Sequence, residues 1–327
     1  MTRPRVGFLG VGWIGRHRME AMLATGAVEA VGIADASEEA AIETQRLAPD
    51  AQLVGSLDEL LDLSPDGIVI ATPSALHAEQ SIRALKRGAA VFCQKPLGRD
   101  AAEVEAVIAA ARRADRLLGV DLSYRHTEAV LRIRELVQSR SLGEIFAADL
   151  VFHNGYGPDK AWFYDPALSG GGCVMDLGVH LADLALWMLD FPEVADVSSH
   201  LYAQGRPLRA GEVEDYAVVT LSLATGATVR IACSWRLQVG CDAVISAAFY
   251  GTAGGAAMRN VNGSFYDFEA AHFTGTTSQT LASPPDEWGG RAAAEWARKL
   301  AGGEGFAGTT GGLLETARVL DRVYGRS

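Results

Sequence analysis

A glycine pattern near the N-terminus constrains the fold of this chain more than any other feature. The segment Gly10-Val11-Gly12-Trp13-Ile14-Gly15 directly follows an apolar run and opens a helical pattern. The first glycine permits a tight turn, the second lets the backbone approach a pyrophosphate, and the third allows close packing of helix on strand. The free N–H groups at the start of such a helix favour an anion. We therefore predict a dinucleotide-binding unit whose cofactor contacts include Gly10, Gly12, Trp13, Ile14 and Gly15.

An acidic residue ends the second predicted strand. Asp35 closes the apolar run Ala30–Ala34, about 20 residues after the last glycine, which is the spacing of a ribose-binding carboxylate. Such a carboxylate accepts hydrogen bonds from the adenosine ribose and repels a 2′-phosphate. Ala36 and Ser37 follow, so no arginine stands ready for that phosphate. We therefore expect NAD as the cofactor rather than NADP.

Strand and helix patterns alternate through the first third of the chain. Six strand-length runs separated by helical patterns predict an α/β fold, a doubly wound parallel sheet with right-handed crossovers. This Rossmann domain is expected over residues 1–122. Alternating strand patterns with hairpin signals follow, and helices close the chain. They predict a C-terminal α+β domain over residues 123–327, with a large open, mainly antiparallel sheet and helices on one face.

Composition excludes several classes of partner. The chain has 327 residues, 49% of them hydrophobic, and a net charge of -11, which argues against nucleic acid or an anionic membrane as a partner. No signal-peptide pattern and no apolar stretch of transmembrane length occurs in the sequence. The cysteines form no C-x-x-C pair, which argues against a metal site and is typical of a reduced, cytoplasmic protein; they are Cys93, Cys173, Cys233 and Cys241.

Three further segments fall at carboxyl ends of predicted strands or after the first domain. They are Thr72-Pro73-Ser74-Ala75-Leu76-His77, Gln94-Lys95-Pro96, and the stretch from Gly170-Gly171-Gly172 through Asp176 and Gly178 to His180. Together with the glycine pattern, they resemble the glucose-fructose oxidoreductase/inositol dehydrogenase/MocA family over nearly the whole chain.

That resemblance implies an oxidoreductase acting on CH–OH groups of sugars, cyclitols or related diols. It implies that Lys95 lies near the nicotinamide and the substrate, and that Asp176 and His180 complete the catalytic site. It implies that Thr72, Pro73 and His77 help to form the cofactor pocket, with Gln94 and Lys95 beside it. It also implies a homodimer or homotetramer that uses the open sheet for subunit contacts.

The residue chemistry is consistent with those roles. Alcohol oxidation needs a base for the hydroxyl proton, and a histidine such as His180 titrates near neutral pH. Asp176 lies four residues earlier, so on an α-helix it shares a face with His180, where it could hold the histidine tautomer or bind a neighbouring hydroxyl. Lys95 can offset negative charge on the reacting oxygen. Free N–H groups around Gly171–Cys173 could add donors.

Two positions depart from the family pattern. The family usually has glutamate before the lysine, and here Gln94 stands there. We hypothesise that, without an adjacent carboxylate, Lys95 is easier to deprotonate. Many members carry an arginine-aromatic pair after the sixth strand, where this chain has Arg125 and His126.

Aromatic and hydrogen-bonding residues suit recognition of a polyhydroxylated ring. We predict substrate contacts at Arg125, Asn154, Tyr156, Lys160 and Trp162, with His153, Trp235 and Arg236 as further candidates. Arg125, Lys160 and Arg236 could together bind an acidic substituent.

Three functions remain open at this point. The first is net hydride transfer between NAD and a hydroxyl or keto carbon. The second is an NAD-recycling glycosidase or dehydratase that acts through transient oxidation of a sugar. The third is a non-catalytic sensor of sugar or NAD, against which Lys95, Asp176 and His180 argue.

Overall fold

The computed structural model describes residues 2–306 and 310–326. The chain divides into two compact units, Met1–Asp121 with Gly290–Gly311, and Leu122–Gly289 with Gly312–Ser327. Within the described residues, no helix combines the length and apolar character needed to cross a bilayer.

The first unit is built on six parallel strands. They are β1 (Arg5–Leu9), β2 (Glu29–Ala34), β3 (Gln52–Leu53), β4 (Gly67–Ile70), β5 (Ala90–Cys93) and β6 (Leu118–Val120). Their order in the sheet is β3-β2-β1-β4-β5-β6, which is the order of the Rossmann fold and confirms the predicted class. The strand order reverses between β1 and β4, so a ligand crevice is expected at the carboxyl ends of these two strands.

Helices connect these strands, and several begin with side-chain caps. They are α1 (Trp13–Ala24), α2 (Glu38–Gln45), α3 (Leu57–Asp62), α4 (Ser74–Lys86) and α5 (Ala101–Ala114). The Ser56 hydroxyl accepts from the backbone N–H of Glu59, whose carboxylate accepts in return from that of Gly55. Such reciprocal bonds satisfy N–H groups that the helix itself leaves unpaired.

The second unit contains a nine-stranded sheet. Its strands are β7 (Ile145–Asn154), β8 (Val194–Ala203), β9 (Arg206–Pro207), β10 (Tyr216–Leu223), β11 (Thr228–Ser234), β12 (Ala243–Gly251), β13 (Gly255–Asn260), β14 (Phe268–Thr274) and β15 (Thr277–Ala282). The order is β15-β14-β13-β12-β7-β11-β10-β8-β9. Only the β7–β11 pair is parallel among the strand pairs of the described sheet, so the predicted mainly antiparallel sheet is confirmed.

Helices cover the inner face of this sheet. They are α6 (Glu128–Gln138), α8 (Val179–Met188) and α10 (Gly311–Val323). The short helix α7 (Pro166–Ser169) precedes α8 in the chain, and α9 (Arg291–Ala301) precedes α10. The apolar residues of α8 share one core with strand residues such as Leu150, Val219 and Ile231. The sequence analysis treats Asp176 and His180 as residues of one α-helix, but Val174–Gly178 is a π-helical segment that runs into α8.

The first unit recruits α9 from late in the chain, whereas the predicted second domain included it. Trp296 lies in the Rossmann core, with its ring centroid 5.8 Å from that of Phe92. A Cβ added to Gly67 or Gly119 would lie 2.7 Å from the indole of Trp296. The glycines on β4 and β6 therefore make room for this side chain, which fixes α9 on the parallel sheet.

Candidate functional site

The glycine turn after β1 has the geometry that its sequence predicts. Gly10 has φ +82°, and a Cβ there would lie 2.6 Å from the carbonyl oxygen of Ala71. A Cβ on Gly15 would lie 2.0 Å from the carbonyl oxygen of Gly10. At Gly12, by contrast, an added Cβ meets no described atom within 4 Å. Two glycines are thus required by the fold, and the middle one leaves open space at the start of α1.

Asp35 lies beside this turn. Its carboxylate accepts hydrogen bonds from the backbone N–H groups of Val11 at 2.6 Å and Ser37 at 2.8 Å. Gly12 is the N-cap of α1 and has no side chain to occupy the helix start. Trp13 is 59% exposed and packs edge-on against His17, and Ile14 is half-buried. An open glycine, an uncapped helix start and an adjacent carboxylate fit the pyrophosphate and ribose of a dinucleotide.

His77 joins the loops that follow β4 and β5. It is only 1% exposed, and its Nδ1 and Nε2 each lie 2.7 Å from a backbone carbonyl oxygen, those of Pro96 and Thr72. The Thr72 hydroxyl donates to Gln80 at 2.6 Å, and Pro73 is the N-cap of α4. Both ring nitrogens of His77 contact backbone oxygens, so the ring holds the two loops together. Its part in forming the cofactor pocket stays a prediction.

Gln94 belongs to a buried polar network. Its amide Nε2 donates to Oδ2 of Asp121 at 2.6 Å, and Nε of Arg18 donates to the same oxygen at 2.6 Å. A carboxylate therefore lies next to Gln94, where it is paired with Arg18, and our hypothesis about Lys95 stays a prediction. Lys95 itself is partly buried and precedes a cis peptide bond to Pro96.

In the second unit, the π-helical segment and α8 expose two polar side chains. From Ser169 to Leu186 every residue is buried except Asp176 and His180, which are both partly accessible. The indole Nε1 of Trp235 donates to Oδ2 of Asp176 at 3.0 Å. The ring of His180 packs edge-on against Tyr124, with centroids 4.9 Å apart. A π-helical turn inserts one residue into the α-helical hydrogen-bond pattern and is often found at functional sites.

The donors predicted around Gly171–Cys173 are not available to a substrate. The N–H groups of Gly172 and Val174 donate to the carboxylate of Glu214, and that of Cys173 donates to its backbone oxygen. The N–H of Gly171 donates to the Ser169 hydroxyl. Sequence reasoning missed Glu214, because the acidic run in which it lies carries no local signal of burial.

The three predicted cationic residues have separate partners. The Arg125 guanidinium forms two hydrogen bonds with the buried carboxylate of Asp183, one of them at 2.7 Å from Nε. Burial raises the pKa of Asp183, and Arg125 counteracts this rise. Lys160 lies at the surface, 3.3 Å from Asp159. Arg236 donates to the Tyr164 hydroxyl at 3.0 Å. These pairings do not support one joint site for an acidic substituent.

Aromatic side chains surround Trp235. The rings of Phe163 and Tyr164 pack edge-on against it, with centroids 6.2 Å and 5.7 Å away, and Trp162 stacks on Phe163 at 3.8 Å. We call these four residues the aromatic cluster; it ends at the Trp235 hydrogen bond to Asp176. It thereby connects a predicted substrate loop to a predicted catalytic carboxylate.

The other predicted substrate residues differ in position. Tyr156 is exposed and packs against Phe265. Asn154 ends β7, and its Oδ1 is buried with no hydrogen-bond partner among the described residues. His153 contacts Ser234 at 2.8 Å and stacks on Tyr216. Since successive strand residues alternate in direction, His153 lies on the open face, opposite the core residue Phe152. Its role in substrate binding stays a prediction.

Fold and residues together define a two-unit α/β protein with a dinucleotide-type glycine turn and a second, mixed-sheet unit. The family model described as an oxidoreductase family with an NAD-binding Rossmann fold matches residues 4–122. The model described as the GFO/IDH/MocA C-terminal domain matches residues 130–257. The chain belongs to the Gfo/Idh/MocA oxidoreductase family, and its first unit is an NAD-binding Rossmann domain.

Several characterised proteins are similar to this chain. D-glucoside 3-dehydrogenase of Escherichia coli is 27% identical over 211 residues, covering 61% of this chain and 60% of that protein. Inositol 2-dehydrogenase of Rhizobium meliloti is 26% identical, covering 78% and 76%. A solved structure of levoglucosan dehydrogenase with NADH and levoglucosan has TM-score 0.83 at 21% identity, covering 99% and 97%.

The sequence alignments are partial. That with D-glucoside 3-dehydrogenase spans less than two thirds of the relative, and that with 1,5-anhydro-D-fructose reductase of Ensifer adhaerens, 32% identical, spans 47% of it. The structural likeness extends over nearly the whole chain; at its level of identity it establishes the fold.

Proposed function

We propose that the chain is an NAD-dependent oxidoreductase that interconverts the hydroxyl and keto forms of a carbon in a sugar, cyclitol or derivative. One observation carries the proposal. In the buried run Ser169–Leu186, the two residues that retain access are a carboxylate and an imidazole, Asp176 and His180. Polar groups left accessible in an otherwise buried segment favour ligand chemistry over packing.

Each residue has a distinct part in the proposed reaction. NAD, when bound in the Rossmann unit, would supply the hydride acceptor. His180 takes the proton of the reacting hydroxyl, as a general base near neutral pH. Asp176, held by the Trp235 indole, binds a neighbouring hydroxyl. Lys95 donates to the reacting oxygen and stabilises its developing negative charge.

The aromatic cluster and its neighbours would recognise the ring of the substrate. We propose that Trp162, Tyr156 and Asn154 supply apolar faces and amide hydrogen bonds to a polyol. We assign to Arg125 the role of binding Asp183, which lies one turn of α8 after His180. Lys160, at the surface beside Asp159, stays a prediction.

A spectrophotometric screen tests this function. Sugars, cyclitols, sugar acids and diols would be incubated with NAD or NADP and the purified chain. Appearance of reduced nicotinamide supports net oxidation, whereas product formation with no net change in NAD indicates the recycling route. His180→Asn and Lys95→Ala should each lower kcat by roughly 10²–10⁴-fold, while Lys86→Ala, an exposed lysine of α4, should not. Unchanged turnover in both site variants would contradict the proposal.

The position of Asp35 predicts the choice of cofactor. Asp35→Asn removes a negative charge next to the glycine turn, so binding of NAD should weaken, by about 10-fold or more, as a charge-assisted hydrogen bond is lost. Repulsion of the 2′-phosphate should fall at the same time, which narrows the preference for NAD over NADP. Dissociation constants of both dinucleotides measure this effect, with Glu39→Gln on the exposed start of α2 as the control. An unaltered preference would exclude Asp35 as the discriminator.

We also propose that the chain forms homodimers or homotetramers through the open face of the nine-stranded sheet. Small and apolar side chains lie on that face, including Ala147, Val151, Val218, Ala232 and Ala248. The same face carries the Asp149–Arg230 ion pair, and the apolar positions around that pair are of the kind found at subunit interfaces.

A further inference from the structure

The carboxylate of Glu214 is buried among hydrogen-bond donors. The residue is 0% exposed, and both carboxylate oxygens lie 3.0 Å from the N–H of Gly172. Its Oε1 also accepts from the N–H of Val174 and from the Tyr324 hydroxyl, each at 2.8 Å. All of these partners donate, so the arrangement fits an ionised carboxylate that accepts every bond.

The glycines of the Gly170-Gly171-Gly172 segment make room for this arrangement. A Cβ on Gly172 would lie 1.9 Å from the backbone oxygen of Glu214, and a Cβ on Gly171 would lie 2.0 Å from the Tyr324 hydroxyl. Side chains at these positions would therefore expel the two residues. The glycine segment is explained by packing against Glu214 and Tyr324, and needs no substrate.

The C-terminal residues complete the contact. Tyr324 directly follows α10, and the Arg326 guanidinium stacks on its ring at 4.4 Å while donating to the carbonyl oxygen of Gly170 at 2.5 Å. Gly170 is thus bound by the end of the chain and Gly172 by Glu214, while Tyr324 packs beside Gly171. We call Glu214, Tyr324 and Arg326 the helix seat.

We propose that Glu214 and Tyr324 are positioning residues that fix the start of the π-helical segment and so aim Asp176. This inference rests on the proposed function, because it gives Asp176 a reacting role. The backbone N–H of Asp176 donates to the carbonyl oxygen of Gly172 at 3.1 Å, so a shift of Gly172 moves Asp176 directly. A negative charge at the start of a helical segment is also favoured by its dipole.

Matched variants separate positioning from general stability. Glu214→Gln keeps the size of the side chain but turns an NH₂ group towards N–H donors, and Tyr324→Phe removes one donor alone. Glu212→Gln is the control: the same substitution, two residues away, at a partly exposed carboxylate paired with Arg206. Each variant would be assayed for kcat, for the dissociation constant of NAD and for thermal unfolding.

A spectroscopic signal reports on Asp176 without catalysis. The Trp235 indole donates to the Asp176 carboxylate, so its ¹⁵N–¹H resonance, assigned with Trp235→Phe, senses the position of that carboxylate. Glu214→Gln should shift this resonance and lower kcat by roughly 10²-fold, the effect of about 1 Å of misplacement, with NAD binding unchanged. Tyr324→Phe should change the Trp235 resonance and kcat in the same direction but by less. Glu212→Gln should change neither of these two readouts.

The Trp235 resonance and kcat together decide whether Glu214 and Tyr324 position Asp176. A folded Glu214→Gln protein with an unmoved Trp235 resonance and undiminished kcat overturns the proposal, even if it unfolds at lower temperature. Should Glu214→Gln not fold, Tyr324→Phe decides by the same two readouts. If the wild-type chain turns over no polyol at all, the proposed function fails, while the resonance still tests whether the helix seat aims Asp176.

Discussion

His77 connects two loops that the sequence presents as separate motifs. Its ring nitrogens contact carbonyl oxygens on both sides, one of them that of Pro96, next to Lys95. Burial lowers the pKa of His77, and this effect outweighs the two contacts with carbonyl oxygens, which favour the charged ring. The folded chain therefore binds a proton at this ring less readily than the unfolded chain does.

That difference predicts how stability depends on pH. Free histidine has a pKa of about 6.5. Because the pKa of His77 is lower in the folded chain, its neutral ring contributes stability above that pH. This contribution is lost as the pH falls towards the folded pKa. Between pH values of about 7.5 and 5, the wild type should lose more unfolding free energy than His77→Gln. Urea denaturation at several pH values measures this, with exposed His17→Gln as the control. A steeper loss in His77→Gln would show that the buried ring is charged.

Residue type alone does not assign a role to His77 or to Glu214. A histidine in the first turn of a helix that follows a strand can contact a cofactor or bond to the neighbouring loops. Both roles need a ring nitrogen near the carboxyl end of a strand, so the sequence does not separate them. Glu214 lies in a short acidic segment whose sequence predicts an exposed loop. Only the approach of Gly172, 42 residues away in the chain, makes this carboxylate a buried acceptor.

At the scale of elements, the ends of β5 and β6 share one carboxylate. Gln94 follows β5 and Asp121 follows β6, and the amide of the first donates to the second. Arg18 of α1 provides the charge that compensates Asp121. The glutamate usual in the family at position 94 would place a second carboxylate against Asp121. The amide of Gln94 instead donates a hydrogen bond to Asp121 and so suits this neighbour.

A swap of the two groups tests this match. Gln94→Glu should lower the free energy of unfolding by about 1–3 kcal/mol, because a buried donor is lost and a second carboxylate meets the first. Asp121→Asn in that background should recover part of the loss, since amide and carboxylate then exchange places. Denaturant titration of both single variants and the double variant forms the cycle. Additive effects would show that the two side chains are not coupled.

Element boundaries were largely predictable, and element partners were not. Apolar runs bounded by glycine and capping residues define β1, β4 and β5 locally, because strands buried in a parallel sheet are apolar on both faces. The amphipathic pattern of α9 predicts a helix equally well, but it does not say which sheet receives it. Trp296 decides that, by filling the space left at Gly67 and Gly119.

For the molecule as a whole, the proposed subunit interface on the open sheet face leads to a prediction about oligomeric state. If this face joins subunits, Val218→Arg or Ala248→Arg should place a charge between them and shift the chain towards monomer, because burying an unpaired charge is costly. Light scattering coupled to size exclusion measures the mass. Glu105→Arg, on the exposed side of α5, is the matched control. A wild-type monomer, or an oligomer unaffected by both variants, would contradict the proposed interface.

Local sequence patterns predict the Rossmann unit, its glycine turn and the acid beside it, because these depend on glycine conformation, strand periodicity and spacing within a few dozen residues. Alternating strand patterns also predict the kind of second unit. That α9 belongs with the first sheet, that Asp121 faces Gln94, and that Glu214 and Tyr324 hold the glycine segment became clear only from the folded chain. These features depend on contacts between residues far apart in the chain, whose side chains become buried partners only once the strands and helices have packed.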